Sequence, residues 1–436
     1  MVDNSREQAL SPPGWWMNRA SLSGARRVRV VLACLLAAAM PLRAQVPTLP
    51  GQLAERVTIA GDSARTFAVY LPSSASASST GAAPRRLPVL LVLDPRGRAL
   101  LALRLFAPAA EQLGWAVLSS YNSASDGAVD PNVAAVRDML EWAQRSIRLD
   151  TRRVYLAGMS GTARATWIAL ADWRPNVAGL LLAAGTVPVP GTELDVARDA
   201  TFAVVATTGV GDFNYEEARR FAARLDSLQV PARLEWHPGP HGWPTGDVAA
   251  RALTWLEVRA MRAGRAALDS TVVRAWIASE RARIDSLDVA GQWDLAQVAA
   301  ASLARDAEGW PGIDDWRAKA VELAARPALR ALRDRLRREL ERERAQPVEL
   351  ERVLAWERVQ AEAPDAADLL KRLDVPALRR AAASTDSVGA ASALRRLART
   401  QVMLAFYAPA AWERLQRPDR AARLREAAGQ VLPAPR

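Results

Sequence analysis

The sequence predicts an α/β fold, a mostly parallel sheet with helices on both faces, followed by an all-helical C-terminal domain. Three observations carry this. Between about positions 57 and 237, short and almost wholly apolar runs alternate with amphipathic stretches of helical period. A run that is apolar at every position suits a strand buried on both sides, as in a parallel sheet between two helix layers. Beyond about Gly264 no such run recurs, glycines thin out, and the apolar spacing is helical. At 436 residues the chain is long enough for two domains, and half of it is apolar, enough for a sizeable core.

In chain order, the first feature is a leader. Arg26-Arg27-Val-Arg29 precedes a run of about thirteen mostly apolar residues, Val30 to Leu42, followed by Arg43-Ala44-Gln45. A basic region, a short apolar run and a small residue make a secretory signal peptide. The run is too short to span a bilayer comfortably. Residues 1–44 are therefore read as the signal, cut after Ala44, and a start at Met17 would give it ordinary proportions. Cys34, the one cysteine, lies inside it. Val31-Leu-Ala-Cys34 resembles a lipoprotein processing site, but most of the apolar run follows that cysteine. The mature chain is expected to be exported, periplasmic or secreted, without disulfides or a stable membrane span.

The α/β domain is placed at 45–264. Val57 to Ala60 and Arg65 to Leu71 read as a hairpin through Gly61-Asp62, and Ser73 to Arg86 as a serine- and alanine-rich surface loop. Pro88 to Asp94 is a buried strand ending at Pro95-Arg96-Gly97. Leu103 to Leu113 is helical, Trp115 to Ser120 a strand, and Asp130 to about Ile147 an amphipathic helix. Asp150 to Ala157 is a strand, and Thr162 to Trp173 a helix. Val177 to Ala184 and Phe202 to Thr208 are strands, and Asn214 to Leu228 a helix. Ala232 to Trp236 is the last strand, before a helix from Thr245 to about Met261. The helical domain is placed at 265–436, with Pro311, Pro327, Pro347, Pro364 and Pro376 breaking it into helices of ordinary length. Asp288-x-x-Gly291-x-Trp293-x-x-Ala296 resembles part of a tetratricopeptide repeat, but the pattern does not recur at a fixed period.

The formal charge of +11 does not point to nucleic acid. Apart from Lys319 and Lys371 the basic residues are arginines, scattered among glutamates and aspartates, with no basic tail and no stripe interleaved with aromatics.

Chemistry concentrates at Gly158-Met159-Ser160-Gly161-Thr162, where a strand meets a helix. A serine at such a turn, flanked by glycine, has the form of a nucleophile elbow, whose tightness demands small neighbours. The G-x-S-x-G pattern has glycine where Thr162 stands, so the tightness of this elbow is an open question of the sequence. A serine hydroxyl needs a general base, usually histidine. Only His237 and His241 exist, both just after the last expected strand. His241, in Gly239-Pro240-His241-Gly242-Trp243, is the candidate base, because small neighbours let it reach the elbow; His237, before Pro238, suits a structural place at the sheet edge. The acid is expected after the preceding strand, at Asp212. Asp226 sits within a helix, and Asp195 and Asp199 precede the strand. An N-cap role for Asp212 is the alternative. Gly209-x-Gly211-x-x-Asn214 lacks the third glycine of a dinucleotide fingerprint and comes too late in the domain. Oxyanion donors are expected at the Gly161 N–H and, since Pro95 has none, at Arg96 or Gly97. Tyr121-Asn122 lie at a strand end where a pocket wall belongs.

Val154 to Arg164, Asp212 and Pro238-Gly-Pro-His241-Gly-Trp-Pro244 resemble the α/β-hydrolase superfamily. Within it they are most similar to the dienelactone hydrolase, feruloyl esterase and polyhydroxybutyrate-depolymerase-like group. The resemblance covers about Gln45 to Gly264. A serine stands where true dienelactone hydrolases carry cysteine, which points away from that substrate. The resemblance implies a serine hydrolase acting on a small-molecule or polymer ester through an acyl-enzyme, with Ser160, Asp212 and His241 as triad and neither metal nor organic cofactor. The rival is a catalytically idle hydrolase-fold scaffold whose helical domain engages a protein partner.

Overall fold

The structure, a computed structural model, describes residues 50–59, 62–76, 85–125, 127–173, 177–186, 201–311 and 313–432. The expected signal peptide lies outside the described residues, as do most of the serine-rich loop, Asp195 and Asp199.

Eight strands form one sheet: β1 (Leu53–Ile59), β2 (Asp62–Tyr70), β3 (Leu87–Leu93), β4 (Ala116–Ser120), β5 (Leu149–Met159), β6 (Val177–Ala183), β7 (Ala203–Gly209) and β8 (Ala232–His237). Their order is β1-β2-β4-β3-β5-β6-β7-β8. β2 runs antiparallel to β1 and to β4, and every other pairing is parallel. The fully apolar runs are the central strands: every residue of β3, β6 and β7 is buried. The architecture is α/β-hydrolase-like.

Among the described residues five helices cover this sheet: α1 (Ala99–Leu113), α2 (Asp130–Ser146), α3 (Gly161–Trp173), α4 (Tyr215–Ser227) and α5 (Gly246–Arg262). Strand residues alternate between two cores, as the two-residue period of a strand requires. One face packs with Val136, Met139, Trp167, Phe221 and Leu225 from α2, α3 and α4. The other packs with Leu103 and Phe106 of α1 and Leu253 and Leu256 of α5.

That second core continues past Gly264. The helices α6 (Ser270–Val289), α7 (Trp293–Asp306) and α8 (Asp314–Ala325) add Trp276, Ile284, Leu303 and Leu323 to it. Trp255 of α5 donates to Asp306 Oδ2 across the join at 2.8 Å. The end of the strands is thus not a break in the packing. A separate apolar core forms later, between the second half of α9 (Pro327–Arg358) and α10 (Ala366–Arg372), α11 (Val375–Ala382), α12 (Ser387–Val402), α13 (Ala408–Arg414) and α14 (Pro418–Gly429). Among the described residues no helix is long and apolar enough to cross a membrane.

One expectation fails here. Pro327 and Pro376 stand in first helical turns, as proline prefers, but Pro347 lies inside the 32-residue α9. An interior proline removes the N–H that would bond the carbonyl four residues earlier. That carbonyl belongs to Glu343, and Arg399 of α12 donates to it through Nη1 at 2.8 Å. A tertiary donor replaces the missing local one, so the helix continues.

Candidate active site

β5 ends at Met159 and α3 begins at Gly161, leaving Ser160 alone at the corner. Its φ of 57° is left-handed, a region that costs a side-chain-bearing residue about 1–2 kcal/mol. The conformation is held from outside: Ser160 N–H donates to Ala183 O at the end of β6, at 2.8 Å. Tightness at this elbow resides in Gly158. A Cβ there would lie 2.4 Å from the Thr162 carbonyl oxygen and 2.6 Å from the Ala163 nitrogen.

Thr162 answers the question its departure from the pattern raised. Its side chain is fully buried and used. The hydroxyl accepts from Met159 N–H at 3.0 Å, and its proton has Leu93 O at 2.6 Å and Met159 O at 2.8 Å within reach. The residue ties the first turn of α3 to the ends of β5 and β3, which a glycine cannot do.

The structure brings Ser160, His241 and Asp212 together. His241 Nε2 lies 3.0 Å from Ser160 Oγ, and Nδ1 lies 2.9 Å from Asp212 Oδ1. Asp212 is fully buried, and its Oδ1 also accepts from Asn214 N–H at 2.8 Å. With Nδ1 protonated and facing the carboxylate, Nε2 presents its lone pair to the serine. The Phe213 ring stacks on the imidazole, with centroids 4.3 Å apart and planes at 23°.

Two loops must meet for this, and Gly209 lets them: a Cβ there would lie 2.4 Å from Gly239 O. Val210 N–H donates to His237 O and Gly211 N–H to Gly239 O, at 3.0 and 2.9 Å. The glycine pair that superficially suggested a dinucleotide site is what allows the acid turn to lie against the histidine loop. His237 is buried at the end of β8, with Nδ1 2.9 Å from Pro238 O. Asp226 is exposed on α4 and paired with Arg305 at 3.1 Å.

The oxyanion expectation changes. Gly161 is the first residue of α3, so no helix carbonyl accepts its N–H, which lies at the positive end of the helix dipole. Arg96 N–H is committed instead: it donates to Asp94 Oδ1 at 2.9 Å. Gly97 N–H closes a turn onto Asp94 O at 3.1 Å. The cause is Asp94, buried at the end of β3, whose carboxylate draws the loop back upon itself. Tyr121 and Asn122 are likewise engaged elsewhere, bonded to Glu55 O and Ala64 O of the first hairpin.

Asp94 is the residue that sequence reasoning missed. It accepts from Arg98 N–H, Nε and Nη2, and from Trp243 Nε1 at 2.8 Å. Burial pushes its carboxyl up, but the Arg98 guanidinium and the Trp243 indole outweigh this and hold it below the usual range. Trp243 stands two residues beyond His241, so this bond fixes the histidine loop to the end of β3. An aspartate closing an apolar run was the one signal available.

No protein-family model matches the chain, and no curated protein does. Solved structures are similar in part. S-formylglutathione hydrolase from Staphylococcus aureus is 17% identical, with a TM-score of 0.38, over 44% of this chain and 92% of that one. A feruloyl esterase module from Clostridium thermocellum, complexed with sinapinate, is 14% identical at a TM-score of 0.36, over 48% of this chain and 87% of its own. A hyperthermophilic esterase from the archaeon Pyrobaculum calidifontis is 15% identical at 0.33, over 44% and 78%. These likenesses carry no argument at such identities and TM-scores, and what the site does is argued from its own geometry.

Proposed function

We propose that the protein is a serine hydrolase that cleaves a carboxylic ester through an acyl-enzyme. One observation carries the reading: a single imidazole lies within hydrogen-bond distance of both a strained, half-buried serine hydroxyl and a fully buried carboxylate. Ser160 Oγ attacks the acyl carbon while His241 Nε2 takes its proton, and Asp212 stabilises the imidazolium. Negative charge on the former carbonyl oxygen is met by the Gly161 N–H and the N-terminus of α3. Collapse breaks the ester bond, and His241 returns the proton to the departing alcohol. Water, deprotonated by the same nitrogen, then attacks the acyl-serine, and the carboxylic acid leaves as His241 returns that proton to Ser160 Oγ.

Labelling with a fluorophosphonate, with turnover of short- and long-chain nitrophenyl esters, tests the reading. Wild type should label, and Ser160→Ala should lose labelling and at least about a thousandfold in kcat. A folded wild type that neither labels nor turns over any ester would leave the scaffold reading in its place. Labelling that survives Ser160→Ala would remove Ser160 from the site.

A further inference from the structure

The helical region reaches back onto the loop that carries Asp212. α12 lays two arginines, one turn apart, against it. Arg395 Nη1 donates to Val210 O at 2.9 Å, and Arg399 Nη2 donates to Phe213 O. These carbonyls bracket Asp212, two residues before it and one after.

Both guanidinium groups are themselves held from α9. The Glu343 carboxylate takes Arg395 Nε and Nη2, at 3.0 and 2.6 Å, with both side chains buried. The Glu343 carbonyl, which Pro347 leaves without a helical donor, takes Arg399 Nη1, and Gln346 Oε1 lies 3.2 Å from the same nitrogen. The Arg395 guanidinium also lies over the Tyr215 ring, 4.4 Å from its centroid, and Arg344 of α9 pairs with Glu216 at 2.8 Å. A buried ion pair is a poor source of net stability compared with apolar packing, so the Arg395–Glu343 pair, whose remaining donor points at one carbonyl of the turn while Arg399 takes another, fits a positional role better.

The backbone of the turn is also bonded to the histidine loop and within itself, with Asp212 N–H donating to Gly209 O at 3.0 Å, but the carboxylate has little else to locate it. Its Oδ1 accepts from Asn214 N–H and from His241, while Oδ2 is buried with no hydrogen-bond partner among the described residues. The carboxylate is thus anchored at one oxygen, and its position follows the backbone of the turn.

We propose that the C-terminal helical region positions the catalytic acid: Arg399 and Arg395 clamp the Val210–Phe213 turn so that Asp212 stays against His241 Nδ1 and Phe213 against its ring. This rests on the reading of Ser160, His241 and Asp212 as a triad. Arg399 and Arg395 are positioning residues, acting through Asp212 and touching no substrate.

The experiment uses the full chain and an activated ester. Arg399→Gln should lower kcat about tenfold to a hundredfold, the loss expected of a misplacement near 1 Å, with KM changed less than about threefold. Arg399→Lys, able to reach one carbonyl, should recover part of it, and decides the matter if the glutamine variant does not fold. In an Asp212→Asn background the Arg399→Gln effect should vanish, whereas a general loss of structure would add to it. If folded Arg399 variants keep wild-type kcat, or lose as much again without Asp212, the clamp is wrong. Ser160→Ala separates the two failures: if that variant still turns over ester, the triad reading falls first.

Discussion

Thr162→Val is the sharpest probe of the elbow. Valine matches threonine in volume, so the substitution leaves no cavity and removes only the hydroxyl. Three contacts go with it, to Met159 N–H at 3.0 Å, Leu93 O at 2.6 Å and Met159 O at 2.8 Å. The position is fully buried, so water cannot replace them. A buried donor or acceptor left unpaired costs about 1–3 kcal/mol, and one donor plus one acceptor gives about 2–6 kcal/mol in all. Thr162→Ser keeps the hydroxyl and loses one methyl group, about 1 kcal/mol. Urea unfolding followed by fluorescence, with 15 tryptophans as reporters, should therefore rank the variants wild type, serine, valine. Activity should follow that order, because the same hydroxyl holds the ends of β3 and β5 on either side of Ser160. A valine variant as stable as the serine one would refute the reasoning.

Two further outcomes follow from the same geometry. His241→Gln should lose at least about a thousandfold in kcat, while His237→Gln should keep its pH profile because its ring faces Pro238 O and not the serine; equal losses measured on one ester would contradict the assignment. Asp94→Asn tests the link to Trp243. The folded pKa of Asp94 is depressed, so its stabilisation is present above the unfolded value of about 3.9 and is lost as pH falls through the folded one. The urea midpoint of wild type should exceed that of the variant near neutrality, and the gap should close as pH is lowered below about 4. A gap that stays constant from pH 6 to pH 3 would show that the carboxylate's charge is not what matters there.

Much of the strand framework and the proposed triad was legible in the sequence because both rest on local signals. β3, β6 and β7 are buried on both faces, and burial on both faces writes itself as an unbroken apolar run. The candidate base was legible because two histidines occur in the chain and both fall at or just after the end of the last strand. Pro347 and the clamp were not legible, because each depends on a partner chosen in space: Arg399 for the carbonyl that Pro347 frees, and two turn carbonyls for Arg395 and Arg399. In the sequence these arginines look like the many others on solvated faces.

The sequence by itself determined the alternation of strand and helix, the strand-to-helix corner at Ser160 and the order of serine, acid and base along the chain. Periodicity and chain order are one-dimensional, and a reading of residues recovers them. Only the tertiary structure decided that Thr162 suits its corner, that Trp243 of the histidine loop bonds Asp94, and that two arginines of one helix, 185 and 186 residues beyond the carbonyls they bond, hold the turn of Asp212. Those outcomes turn on which buried polar group finds which partner, and that pairing is set when the chain packs.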